Sequence, residues 1–396
     1  MLQNAEQILN EDYLRALPLL DFSASLYPGV DLKDVYIICA QHVVSTTYSL
    51  FHALLKLGLD PNHLSVIGKC YSTDPQAYEE IRKLGIDICS SGLKFESHST
   101  FDKQYRENIR EFVAQRIQKI TKGKFKKVIV LDDGGELISA INSFSPTYDH
   151  FVGIEQTSSG FHKLNEKPLK FPVINVARSP AKLNYESPII AKLVVDTFLR
   201  HMEHFPLHPK EVLIIGNGPI GSQIFEALNS NYSVSTFDID SAKSSIGKAD
   251  FEHSLKKFDM IVGCTGKTVL ESKHHKLLKR NSILVSASSS DREFSAASLR
   301  IKHPRVEDCH SNLCIDDIYL INCGFPINFA AEYRAIDIDE LQLTRSLLLA
   351  AVLQAFYHQD SKKEKFIPLD IENQREITQQ YFSIFPKKKL EKQTAI

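Results

Sequence analysis

The residues best equipped to do chemistry fall in two places. The first is Gly216-Asn217-Gly218-Pro219-Ile220-Gly221, which follows the apolar run Val212-Leu213-Ile214-Ile215 and leads into an apolar helical stretch over 222–228. Between a strand and a helix, such glycine spacing brings a dinucleotide pyrophosphate to unpaired N–H groups at the helix N-terminus. Gly216 permits the tight turn, Gly218 the approach of backbone to phosphate, and Gly221 the close packing of helix on strand. Asp238 ends a second extended run at the interval of roughly 20 residues that this fingerprint requires. Its carboxylate would accept from the adenosine ribose hydroxyls and repel a 2'-phosphate, so the sequence predicts NAD rather than NADP. A further strand is predicted in Met260-Ile261-Val262-Gly263, with Cys264, Thr265 and Gly266 placed near the cofactor at its end. The second place is Asp132-Asp133-Gly134-Gly135, where a short apolar strand over 127–131 ends. Ligands of open α/β sheets sit beyond the carboxyl ends of the strands, so these carboxylates are candidate site groups.

The elements that must position them alternate. Periodicity predicts helices over 4–16, 45–57, 77–84 and 105–120, and extended segments over 35–39, 64–67, 86–89 and 127–131. Such alternation predicts a parallel sheet covered by helices. A helix over 188–200 leads into 201–209, rich in His and Pro, which reads as a linker to a second domain. The 396-residue length exceeds the ~100–200 residues usual for one domain. The predicted class is therefore α/β with two domains. A Rossmann dinucleotide-binding domain over 189–324 is inserted in a larger α/β substrate domain made of 1–188 and 325–396.

Composition narrows the partners. Hydrophobic residues make up 43% and charged residues 24%, with a formal net charge of -1, so the basic footprint of a nucleic-acid binder is missing. No stretch of apolar residues is long enough to span a bilayer, and the first residues carry Glu6, Glu11 and Asp12 without a basic region, so neither a membrane span nor a signal peptide is expected. The 7 cysteines lack a CxxC pair, which points to a reducing, cytoplasmic setting and to no metal site. Cys309, His310 and Cys314 read as ordinary side chains, and the lysine run 387–389 as a solvated tail in a C-terminus whose final ten residues are expected to be disordered.

Several separated segments share one order: Tyr71-Ser72-Thr73, Asp132-Asp133-Gly134-Gly135-Glu136-Leu137, Gln156-Thr157-Ser158-Ser159-Gly160, Pro172-Val173-Ile174-Asn175-Val176 and Lys182, all ahead of the glycine fingerprint. In that order they resemble adenosylhomocysteinase, and the resemblance extends over most of the chain. It implies tightly held NAD used as a temporary oxidant: the 3'-hydroxyl of a nucleoside is oxidised, the 5' thiol is eliminated, water adds and the hydride returns. It also implies roles. Lys182 matches the base at the ribose, His42 and Asp133 the acid/base pair at the 5' carbon, and Glu186 a carboxylate following the lysine. Thr157, Ser158 and Ser159 match hydroxyl donors at the nicotinamide ribose, and Asn322 a retained asparagine near the cofactor.

The departures cluster on substrate recognition. Gln156 stands where the family has a glutamate on the substrate ribose. An amide hydrogen-bonds but takes no proton. The base-reading motif becomes His42-Val43-Val44-Ser45-Thr46, the Gly-His-Pro turn becomes Gly324-Phe325-Pro326, and Ser286-Ala287-Ser288-Ser289-Ser290-Asp291 replaces a histidine-bearing loop. Thr46, Gln156 and Phe325 are thus the expected substrate-side positions. Three functions follow: NAD-dependent oxidation, elimination and hydration of a different nucleoside-like small molecule; NAD-dependent regulation without catalysis, suggested by Gln156, Ser289 and Phe325; and hydrolysis of adenosylhomocysteine itself, within one-carbon metabolism. A homo-oligomer is expected, although residues 385–396 show no counterpart of the family's C-terminal Lys and Tyr.

Overall fold

The computed structural model describes residues 17–144, 150–330, 338–358 and 365–386. The helix expected over 4–16 and the lysine run 387–389 lie outside the described residues. The chain divides into two compact units, one within 1–93, 107–186 and 337–396, the other within 94–106 and 187–336. The expected boundary at 324 therefore falls inside the second unit, which also takes in Lys94–Arg106.

The first unit carries β1 (Val35–Ala40), β2 (Leu64–Ile67), β3 (Asp87–Cys89), β4 (Lys127–Asp132), β5 (Phe151–Glu155) and β6 (Val173–Asn175). Continuous apolar runs such as Val-Tyr-Ile-Ile-Cys-Ala in β1 are buried along their whole length, as strands of a parallel sheet covered on both faces must be. The second unit carries β7 (Glu211–Ile215), β8 (Ser233–Phe237), β9 (Met260–Gly263), β10 (Ser282–Ser286), β11 (Leu313–Ile315) and β12 (Ile318–Leu320). The chain then returns to the first unit for β13 (Phe366–Pro368).

The first sheet runs β3-β2-β1-β4-β5-β6-β13 and all its pairings are parallel. Strand order reverses between β1 and β4, the position at which ligands of open α/β sheets sit beyond the carboxyl ends of the strands. The second sheet runs β8-β7-β9-β10-β12-β11, parallel except for the β11–β12 hairpin, and reverses between β7 and β9.

Two expectations change. The helix before the second sheet spans Ser187–His204 and so takes in part of the expected 201–209 linker. Met202 and Phe205 bury in the core of the second unit, and that packing carries the helix onward. The helix after the glycine loop starts at Pro219 rather than 222, because the proline ring is pre-set for the first helical turn.

Lys94–Arg106 joins the second unit through Arg300, which is 1% exposed. Its guanidinium donates to the carbonyls of Ser97 (2.7 Å), Ser99 (2.9 Å) and Cys323 (2.6 Å) and to Asp291 (2.6 Å). Asp291 in turn accepts from the Phe101 N–H. No described helix is long and apolar enough to cross a membrane.

Candidate functional site

In the first unit, polar side chains gather where β1, β2, β4 and β5 end. Asp133 follows β4 and is 4% exposed. One carboxylate oxygen accepts from Lys69 Nζ, and the other accepts from Gln156 Nε2 and lies 3.4 Å from His42 Nε2. Burial raises the Asp133 carboxyl, but Lys69 and then His42 outweigh it and hold the group well below the usual carboxylate range. The same pair keeps Lys69 charged: burial works against its ammonium, yet Asp133 raises it above its ordinary value. His42, just past β1, places Nδ1 2.5 Å from Ser72 Oγ. One imidazole nitrogen is thus fixed by a hydroxyl and the other faces a carboxylate, a setting suited to holding and passing a proton.

Gln156 shows why an amide stands there. Its Nε2 donates to Asp133, while its Oε1 accepts from Gln41 Nε2 at 3.3 Å. A carboxylate could not donate to Asp133 without first taking a proton. Glu155, next to it, points elsewhere. Its Oε1 accepts from the N–H groups of Gly134 (3.2 Å) and Thr157 (2.7 Å) and from the Thr157 hydroxyl (2.7 Å). Gly160 makes room for it, since a Cβ there would lie 2.3 Å from the Glu155 carboxyl carbon.

Asp132 and Glu155 are direct neighbours across β4 and β5, and both are fully buried. Burial pushes Asp132 up to about 7, and burial together with Asp132 pushes Glu155 up to about 8. Asp132 Oδ2 accepts from the Ile138 N–H at 2.8 Å, which fixes the start of the helix Glu136–Phe144.

Lys182 and Glu186 occupy a single π-turn, Lys182–Glu186, and their Nζ and Oε1 stand 2.6 Å apart. Isolated π-turns recur at functional sites. Thr157 caps the helix Ser158–Asn165, accepting from Gly160 N at 2.9 Å, so its hydroxyl is already engaged; Ser158 and Ser159 are exposed. Thr46, expected on the substrate side, is 1% exposed and accepts from Arg345 Nε at 3.0 Å.

The glycine fingerprint of the second unit takes the geometry its spacing demands. Gly216 adopts φ +95, and a Cβ there would meet Thr265 Cγ2 at 2.7 Å. A Cβ on Gly221 would lie 1.9 Å from the Gly216 carbonyl oxygen, whereas Gly218 faces open space. Helix Pro219–Leu228 begins without a side-chain cap, leaving its first N–H groups for an anion. Asp238, just past β8, accepts from Asn217 N (2.7 Å) and Asp240 N (2.9 Å), one bond per oxygen, which leaves each oxygen a further lone pair. Across the reversal point, the Cys264 N–H bonds Ile215 O at 2.8 Å, so the loop Cys264-Thr265-Gly266 stands beside the glycine loop.

That loop is held from below by Glu293. Its carboxylate accepts from Thr265 N (2.7 Å), Gly266 N (2.6 Å) and the Thr265 hydroxyl (3.0 Å), and from the Ser288 hydroxyl. Two expected contacts are differently employed. Phe325 is fully buried, with ring centroids of Phe95 and Phe101 at 5.7 and 5.8 Å, so its ring packs in the core of the second unit. Asn322 is 1% exposed at φ 51; its Nδ2 donates to Pro326 O (3.0 Å) and its Oδ1 lies 2.9 Å from His310 Nδ1, so its amide braces the turn. Among the described residues no group of three or more His, Cys, Asp and Glu could hold a metal ion.

Sequence reasoning missed Lys69, Gln41, Arg345 and Glu293. Lys69 stands right after a buried strand and before Tyr71-Ser72-Thr73. Arg345 is an isolated cation ahead of the apolar run Leu347-Leu348-Leu349 in the helix Ile338–Tyr357. A cation so placed needs polar partners, and this signal was available.

No family model matches the chain. It is similar to the uncharacterized protein Rv0104 of Mycobacterium tuberculosis, 38% identical over 345 residues that span 85% of this chain and 67% of the relative. It is distantly similar to the adenosylhomocysteinase of Sulfolobus acidocaldarius, 24% identical over 250 residues, 60% of this chain and 57% of that enzyme. Among solved structures, a dipicolinate synthase from Bacillus halodurans aligns over 83% of this chain and 99% of its own, with a TM-score of 0.40 at 11% identity. On the strength of the first match, the chain belongs to the family of the mycobacterial protein Rv0104.

Proposed function

We propose that the second unit binds NAD and that the first unit moves protons on a nucleoside-like small molecule, in chemistry related to that of adenosylhomocysteinase. One observation carries this reading: His42, Lys69, Asp133 and Gln156 converge at the reversal point of the first sheet, bonded to one another rather than scattered. The second unit fits the dinucleotide because Gly221 has no room for a side chain and Gly218 leaves its backbone open. Gly216, Asn217, Gly218, Pro219, Ile220 and Gly221 would hold the pyrophosphate, and Asp238 the adenosine ribose. When bound, NAD supplies reversible two-electron oxidation.

The first unit supplies the proton chemistry. His42 can hold a proton at Nε2, steadied by Asp133 and oriented through Nδ1 by Ser72. Lys182 and Glu186, 2.6 Å apart, can hold and return a second proton. Gln156 offers hydrogen bonds without taking part in proton transfer. A second reading, an NAD-binding regulator without turnover, is supported by the engagement of both Asp133 oxygens within the chain.

The test is exchange of carbon-bound hydrogen. The NAD-loaded chain is incubated in heavy water with adenosine and, separately, adenosine 5'-monophosphate, and deuterium at the 4' carbon is read by mass spectrometry. Incorporation that disappears in Lys182→Met supports the reading. Tight NAD binding without exchange in either nucleoside favours the regulator.

A further inference from the structure

Among the described residues of this cluster, one buried cation stands without a carboxylate bonded to it. Lys69 is matched by Asp133, Lys182 by Glu186 at 2.6 Å and Lys163 by Glu136 at 2.8 Å. Arg345 is 5% exposed and has no such match. Its hydrogen bonds go to two neutral oxygens, Thr46 Oγ1 at 3.0 Å from Nε and Gln41 Oε1 at 3.4 Å from Nη1. Among the described residues nothing accepts from Nη2. Burial lowers the guanidinium to about 10 against the favourable fields of Asp133 and Glu186, so it remains charged at neutral pH. Those two carboxylates are near enough to be felt, yet each is bonded to its own lysine.

Arg345 also stands inside the site. Through Gln41 it joins the chain of bonds that runs to Gln156 and Asp133. Thr46 fixes the guanidinium plane by holding Nε, which leaves the two terminal nitrogens as a preset fork. A buried cation without a counter-ion is costly, and a planar fork matches the paired oxygens of a carboxylate or phosphate.

We propose that Arg345 is an anion receptor, and that the small molecule accepted by the first unit carries a carboxylate or phosphate whose oxygens accept from Nη1 and Nη2. The inference rests on the reading of this cluster as a small-molecule site.

The probes are malonate, its uncharged isostere malonamide, and inorganic phosphate, each titrated by calorimetry into the full chain saturated with NAD, which covers the glycine-loop helix terminus. Malonate or phosphate should bind about tenfold or more tightly than malonamide, as loss of a charge-assisted bond implies. Arg345→Gln should remove that preference and Arg345→Lys should keep part of it. A preference for malonate identifies a carboxylate-bearing substrate, and a preference for phosphate a phosphate ester. Equal affinity for malonate and malonamide in the unmutated chain overturns the proposal, and so does undiminished anion affinity in Arg345→Gln. Should Arg345→Gln not fold, the malonate-to-malonamide ratio of the unmutated chain and of Arg345→Lys decides, an unchanged ratio between them overturning the proposal. Arg345-dependent anion binding in a chain that exchanges no nucleoside hydrogen would defeat the proposed function and leave this inference standing.

Discussion

Adding one methyl group at two neighbouring glycines should separate folding from cofactor binding. In Gly221→Ala the new Cβ would lie 1.9 Å from the Gly216 carbonyl oxygen and 3.0 Å from its carbonyl carbon. Both are backbone atoms, so helix Pro219–Leu228 must lift off β7, and overpacking of this kind costs ~1–3 kcal/mol. In Gly218→Ala the Cβ meets nothing within 4 Å, and the backbone at φ -84 suits alanine. This variant should be as stable as the unmutated chain, or more so by ~0.4–1 kcal/mol from reduced freedom of the unfolded chain. The open space is where the pyrophosphate must approach. A methyl group placed there should cost the NAD complex ~1–3 kcal/mol, a rise in Kd of roughly 5- to 150-fold. Thermal unfolding without cofactor and calorimetric titration with NAD measure the two effects independently. Gly221→Ala should lose on both axes and Gly218→Ala on affinity alone. Unchanged NAD affinity in Gly218→Ala would refute the placement of the cofactor.

Lys69→Met should destabilise the first unit by ~3–5 kcal/mol, because it leaves the Asp133 carboxylate buried without its cation; urea denaturation should show the deficit shrinking toward low pH, where Asp133 can be protonated. Asp132 and Glu155 are raised in the folded state to about 7 and about 8. The native state therefore holds protons that the unfolded chain has released, and stability should fall as pH rises from ~4 to ~8, with a slope of at most ~1.4 kcal/mol per pH unit per group. Denaturation of Asp132→Asn and Glu155→Gln across that range should show a flatter profile. Asp133, depressed in the fold, acts oppositely and only at acid pH: its contribution is present above ~4 and is lost as pH falls through its folded value. Arg300→Met should destabilise the second unit by several kcal/mol, since it strands the buried Asp291 carboxylate, and limited proteolysis should then cut within 94–106 faster than in the unmutated chain.

How much of this was legible in the sequence depended on range. The glycine loop was readable because its constraint is local: a turn at φ +95 and a helix one van der Waals contact from a carbonyl admit only glycine at Gly216 and Gly221. Strands such as β1 and β4 were readable because burial on both faces demands an unbroken apolar run. Asp133 and His42 were placed by resemblance, and the structure brings them within 3.4 Å. What escaped was whatever depends on distant partners. Lys69 meets Asp133, and Arg345 meets Gln41 and Thr46, across sequence separations that no spacing rule encodes. The surroundings of Phe325 were illegible for the same reason: Phe95 and Phe101 come from a segment whose attachment to the second unit is set by buried hydrogen bonds to Arg300.

The most direct test of the account is to saturate the purified chain with NAD, add adenosine or adenosine 5'-monophosphate, and record the absorbance of reduced nicotinamide, in parallel with His42→Asn and Lys182→Met. We expect bound NAD to become reduced by at least one of the two nucleosides in the unmutated chain, and reduction to slow by a factor of about 100 or more when Lys182 is replaced, the scale of a lost general base. NAD that binds tightly and stays oxidised with both nucleosides, or reduction that proceeds at an unchanged rate in Lys182→Met, would contradict it.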